Sequence, residues 1–110
     1  MALGFPAYHE ERVRYDGIDD RDLMKAISKA LDRVGWNWSR TDRYRFRAGT
    51  GFQLFSYGET VTVEMLGEGR LFVRSEYVVP FAWLDWGLNS QNVRKLLRSL
   101  DDVLDADVME

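Results

Sequence analysis

Few residues in this chain combine the type and spacing that catalysis needs. There is one histidine, His9, and no cysteine at all. A general base must lie within hydrogen-bond reach of the proton it takes, and no residue is spaced to be a fixed partner of His9. No H-E-x-x-H or comparable ligand pattern surrounds it, so neither a metal centre nor a cofactor is indicated. Gly49-Thr50-Gly51 lacks the lysine of a phosphate loop and joins two strand-like runs, so it reads as a turn. The acids of Asp16-Gly17-Ile18-Asp19-Asp20 miss the spacing of a calcium loop, and helix capping already explains them. No serine has G-x-S-x-G context. Asp85-Trp86-Gly87 could pin backbone amides at a binding corner, but a turn seating the next helix is the simpler reading. An enzyme would require Asp85 or His9 in a cleft with a shifted pKa, and no catalytic residue is assigned.

A more suggestive set mixes arginine with aromatic residues at alternating positions: Arg45, Arg47, Phe55, Tyr57, Phe72 and Arg74. Alternation places side chains on one face of a sheet. Exposed aromatics on such a face mark an interface. Three uses compete: self-association of two sheets, a protein or small apolar ligand, and single-stranded nucleic acid through base stacking and phosphate contact. Glu64 and Glu76 share the face, and the formal net charge is −3, which weighs against nucleic acid. The expected partner is another copy of the chain, as a homodimer, or another protein.

The elements that must position this face follow from periodicity. Glu59 to Val79 reads as two strands, with Val61, Val63 and Met65 alternating with polar residues. A loop at residues 67–69 pairs Met65 with Leu71 and Val63 with Val73, keeping apolar on apolar, with Gly69 supplying a positive φ. Backwards along the chain, a turn at Tyr57-Gly58-Glu59-Thr60 would pair Leu54 with Val63 and Phe52 with Met65. A Thr41-Asp42-Arg43 loop would pair Arg40 with Tyr44 and Trp38 with Phe46. One apolar face then collects Trp36, Trp38, Tyr44, Phe46, Phe52, Leu54, Val61, Val63, Met65, Leu71 and Val73.

Tyr8 to Tyr15 reads as a charged edge strand with Val13 and Tyr15 inward. Asp19 or Asp20 caps a helix whose stripe is Leu23, Ile27, Ala30, Leu31 and Val34, and Gly35 ends it. Asn89 or Ser90 caps a second helix with Val93, Leu96, Leu97, Leu100, Val103 and Leu104 on one face. The acidic end, Asp101 to Glu110, opposes the helix dipole and is expected to fray. The predicted fold is α+β: a two-layer sandwich ordered β-α-β-β-β-β-α, antiparallel, with both helices on one sheet face.

This order resembles the TBP-like arrangement, and more distantly the helix-grip proteins, which elaborate it around a ligand cavity. Asp85-Trp86-Gly87-Leu88-Asn89-Ser90-Gln91-Asn92-Val93 is similar to the D-W-G-x-N-x-x-N-V segment of small uncharacterised bacterial domains. Neither resemblance implies an activity.

At 110 residues the chain makes one domain, with residues 1–7 and 105–110 expected to be loose ends. No signal peptide is visible, and the longest apolar run is broken by Pro80 and Asp85, so no membrane partner is expected. The lack of cysteine suits a reducing cytoplasm.

Overall fold

A computed structural model describes residues 8–50, 59–77 and 88–109. The described elements run β1 (Tyr8–Arg14), α1 (Asp20–Val34), β2 (Asn37–Asp42), β3 (Arg45–Gly49), β4 (Glu59–Gly67), β5 (Arg70–Tyr77) and α2 (Leu88–Met109). The strands form one antiparallel sheet in the order β1-β5-β4-β3-β2. The α+β class and the element order are those expected.

The central hairpin holds the predicted register, Met65 against Leu71 and Val63 against Val73. The turn is two residues, Glu68 and Gly69, and not the three expected at 67–69, since Gly67 pairs with Arg70; their φ are 56° and 77°. Both lie in the left-handed region, as the twist of a tight hairpin favours. A bulge between Met65 and Gly67 takes up the remaining residue. Arg70 covers the bulge by donating from Nε to the Gly67 carbonyl and from a terminal nitrogen to the Leu66 carbonyl, both at 3.1 Å. At Gly69 a Cβ would collide with the carbonyl oxygen of Tyr15, whose N–H donates to the Gly69 carbonyl at 2.7 Å. Glycine is therefore required there twice, by φ and by the close approach of β1's end.

Two registers differ from expectation. The β2–β3 turn lies at Arg43 and Tyr44, with a bulge between Arg40 and Asp42, so Arg40 faces Phe46 and Trp38 faces Ala48. Asp42 fixes this turn by accepting from the Tyr44 N–H at 2.9 Å, the usual service of an aspartate in a turn. Tyr44 is thereby placed at the turn and is 43% exposed, not in the core. The shift is by an even number of residues, so Trp38 and Phe46 keep their face. Their ring centres lie 5.8 Å apart.

The second difference concerns the neighbour of β4. β3 pairs with it directly, Phe46 against Val63 and Ala48 against Val61, so Leu54 and Phe52 are not the partners of Val63 and Met65. Glu59 belongs to β4 opposite Tyr77, not to a turn with Gly58. Phe52, Leu54, Phe55, Tyr57 and the Asp85-Trp86-Gly87 corner lie outside the described residues.

α1 forms as its sequence dictates. Asp19 caps it by accepting from the Asp22 N–H at 2.8 Å, and Gly35 ends it at φ 81°. An aspartate N-cap and a left-handed glycine C-cap each satisfy backbone groups that the helix leaves unpaired. Leu23, Ala26, Ile27, Ala30 and Leu31 face inward. They join Phe46, Ala48, Val61, Val63, Leu71 and Val73 of the sheet and Val93, Leu96, Leu100 and Val103 of α2 in one hydrophobic cluster. Only one parity of each central strand enters that cluster. Two polar ties fix the packing: Trp38 Nε1 of β2 donates to Asp32 of α1 at 2.7 Å, and Ser99 Oγ of α2 donates to the Ala30 carbonyl of α1 at 3.1 Å.

Candidate interaction face

The opposite parity forms the second sheet face, and the registers order it into rows. Arg45, Glu64, Phe72 and Arg12 lie side by side across β3, β4, β5 and β1. The next row is Arg47, Thr62, Arg74 and Glu10, and beyond it Thr60, Glu76 and Tyr8. A shallow depression of about 330 Å³ runs over this face, lined by Arg45, Arg47, Phe72 and Arg74 among others. Four of the six expected site residues therefore converge; Phe55 and Tyr57 lie outside the described residues.

Charge on the face is largely matched within the chain. Arg45 reaches Glu64 at 3.3 Å and Asp42 at 3.8 Å. Arg74 reaches Glu10 at 3.4 Å and Glu76 at 3.7 Å, and its guanidinium lies 4.3 Å from the centre of the Tyr8 ring. These partners are more than a third exposed or nearly so, and each pair is worth little alone. Arg74 Nε is buried without a hydrogen-bond acceptor among the described residues, an uncommon condition for a donor. Phe72 is half-buried, and the Arg12 guanidinium stacks over it at 4.8 Å, a cation–π contact that shields the ring from water. Arg47 is exposed between Ser39 and Thr62 and makes no ion pair among the described residues.

β1 contributes Tyr8, Glu10 and Arg12 to this face, residues that sequence reasoning did not assign to it. The signal was present: Val13 inward puts every even-numbered residue of that strand outward.

A second polar site was also missed. Glu59 and Ser75 belong to the core parity and are buried, as is Asn89 at the start of α2. Ser75 Oγ donates to Asn89 Oδ1 at 2.7 Å, and Asn92 Nδ2 donates to Ser75 Oγ at 3.2 Å and to Glu59 Oε1 at 2.8 Å. Thr50 Oγ1 donates to Glu59 Oε1 at 3.4 Å and accepts from the Glu59 N–H at 2.9 Å. Asn89 is thus not the cap expected for α2: the helix already begins at Leu88, and the Asn89 side chain is turned into the sheet. Both asparagines of the D-W-G-x-N-x-x-N-V segment are spent on tying α2 to β4 and β5.

This cluster does not form a nucleophile site. His9 lies opposite Ser75 in the β1–β5 ladder, yet the Ser75 hydroxyl donates to Asn89. His9 Nε2 instead sits 3.6 Å from Glu11. Among the described residues no group of histidine and carboxylate side chains could hold a metal ion. No helix among them is long and apolar enough to cross a membrane. No protein-family model matches the chain, and no curated protein matches it.

Proposed function

We propose that this chain is a non-catalytic interaction domain that binds through its second sheet face, chiefly to another copy of itself. The observation that carries the reading is the face itself. Four of the five strands present ordered rows of arginine, glutamate and aromatic side chains that no described element covers. A face meant only for water has no need of Phe72 and Tyr8 held beneath guanidinium groups, and grouped aromatics on a surface mark contact sites. Rows that alternate in charge are also self-complementary under a two-fold axis. Arg47 of one copy, which makes no ion pair within its own described chain, can meet the acids around Arg74 of the other.

Magnitude sets the expected strength. Strands about 4.8 Å apart and roughly six residues long give a face of roughly 24 by roughly 20 Å. That is below the about 800 Å² per partner of a standard interface. Association should therefore be weak and concentration-dependent, and the reading places it in a reducing cytoplasm. Single-stranded nucleic acid is the weaker alternative, because Arg45 and Arg74 already serve Glu64, Glu10 and Glu76 and are less free to replace counterions on phosphate.

Light scattering over a rising concentration series tests this. The wild type is expected to approach a dimer, and Phe72→Glu and Arg47→Glu to remain monomers. A wild type that stays monomeric throughout the series removes the proposal. Salt-sensitive oligonucleotide binding lost in Arg47→Ala would replace it with the nucleic-acid reading.

A further inference from the structure

Where β1 runs beside the central hairpin, the chain leaves a shallow groove of about 310 Å³, lined by Arg12, Val13, Arg14, Leu66, Arg70 and Leu71. The antiparallel ladder assembles it. Arg14 stands directly opposite Arg70, and Arg12 stands opposite Phe72 one row further on. Three guanidinium groups thus share a small area, and like charges facing each other across a ladder repel. Among the described residues no carboxylate lines the groove.

The three arginines differ in what they have left to offer. Arg14 is turned to Asp16 at 2.9 Å and is spent. Arg70 donates from Nε and one terminal nitrogen to the Gly67 and Leu66 carbonyls. Those acceptors are neutral, so they hold the guanidinium in place without cancelling its charge. Arg12 lays its flat face on the Phe72 ring, and stacking leaves the N–H groups at the edge of the plane open to an acceptor. Neither Arg12 nor Arg70 makes an ion pair among the described residues. The acids of the adjoining rows are engaged elsewhere, Glu10 with Arg74 and Glu64 with Arg45. Glu68, in the hairpin turn, is exposed and lines no part of the groove. Leu66 is 38% exposed and supplies an apolar side.

We propose that this groove binds a small organic phosphate monoester, its phosphate bridging Arg12 and Arg70 and its carbon body against Leu66. Residues placed diagonally across a ladder, as these two arginines are, lie about 7–8 Å apart, within reach of long side chains that converge on one ligand. A carboxylate carries one charge, which a single guanidinium satisfies. A phosphate monoester carries nearly two, with three acceptor oxygens, and so has charge for both. The volume of the groove is at the lower end of small-molecule sites, about 300 Å³. It shares no lining residue with the depression on the interaction face, and the proposal does not depend on self-association.

Isothermal titration calorimetry on the full chain at about pH 8, where the monoester is close to doubly charged, uses three probes. Phenyl phosphate should bind saturably. Phenyl sulfate, which keeps the shape and loses one charge, should be weaker by about fivefold or more. Inorganic phosphate, which lacks the ring, should be weaker by a similar factor. Arg12→Glu and, separately, Arg70→Gln should each weaken phenyl phosphate at least as much, with circular dichroism to check folding. Arg12 makes no contact with the hairpin bulge carbonyls, so its variant decides the matter if Arg70→Gln disturbs the turn. Arg47→Glu should bind phenyl phosphate as the wild type does, which lets dimerisation and ligand binding fail separately. Non-saturating heat, equal affinity for phenyl sulfate or inorganic phosphate, undiminished binding by folded Arg12→Glu, or loss of binding in Arg47→Glu overturns the proposal.

Discussion

Gly69 and Tyr15 meet in close backbone contact, and comparing a substitution there with one at Gly17 separates backbone strain from packing. Gly69→Ala places a methyl group against the Tyr15 carbonyl at a backbone φ of 77°. The left-handed conformation alone costs about 1–3 kcal/mol for a non-glycine residue, and the displaced strand end adds to it. Gly17→Ala has a similar φ, 79°, with open space around the new methyl. It should lose only the backbone part, so urea midpoints should fall further for Gly69→Ala at unchanged slope. Tyr15 itself predicts an alkaline limit. Burial first, then the charge of Asp101 and the hydrogen bond to it, raise its pKa above the ordinary value of 10.0. The raised folded-state pKa means the contribution is fully present below the ordinary value and is lost as pH climbs from there toward the folded value. Unfolding followed by denaturant should show a stability loss above pH 10.0 that is smaller in Tyr15→Phe. Equal alkaline loss in both proteins would mean another group is responsible.

Among the elements, legibility followed the physics of each signal. α1 could be read to its caps because Asp19, the apolar stripe and Gly35 all act locally. The central hairpin could be read because its observed pairing of Val63 with Val73 is the one that a one-residue slip would invert. The β2–β3 turn could not, since registers differing by two residues keep Trp38 and Phe46 on the same face and only the Asp42–Tyr44 contact decides between them. The neighbour of β4 was misassigned for a similar reason: Phe46 and Leu54 offer equivalent apolar parity, and parity cannot choose between them. The polar cluster at the head of α2 was legible in hindsight. Glu59 and Ser75 fall on the apolar parity, and Asn89 and Asn92 continue the inward stripe of Val93, Leu96 and Leu100. Four polar residues on facing apolar stripes imply one another as partners. Asn92→Ala removes a donor from both Glu59 and Ser75, and a buried group losing a partner costs about 1–3 kcal/mol. Asn92→Ala should therefore melt at a lower temperature than Ser90→Ala, nearby on the same helix and half-buried. Similar melting of the two variants would show that the cluster contributes no stability.

For the molecule as a whole, the registers make the sheet two-sided in an unequal way. One parity builds a dry cluster; the other carries Arg45, Glu64, Phe72 and Arg74 over a depression of about 330 Å³. The consequence for association can be worked out from exposure. The Arg45 and Glu64 side chains are 46% and 35% exposed. Salt therefore screens their attraction, the Debye length of about 8–10 Å at ordinary ionic strength being less than half the width of the face. If two faces close on each other, pairs now satisfied within one chain are desolvated together with Phe72, and the apolar and charged contributions can be told apart. Raising salt should weaken dimerisation only a few-fold, because exposed ion pairs contribute under about 1 kcal/mol each. Phe72→Glu, which replaces the apolar ring at the centre of the contact with a carboxylate that closure must desolvate, should abolish it at any salt concentration. Sedimentation velocity at low and high salt distinguishes these. A dimer that dissolves entirely in salt and survives Phe72→Glu would place the contact on the charged rim, with Arg47 and not the aromatic centre as its anchor.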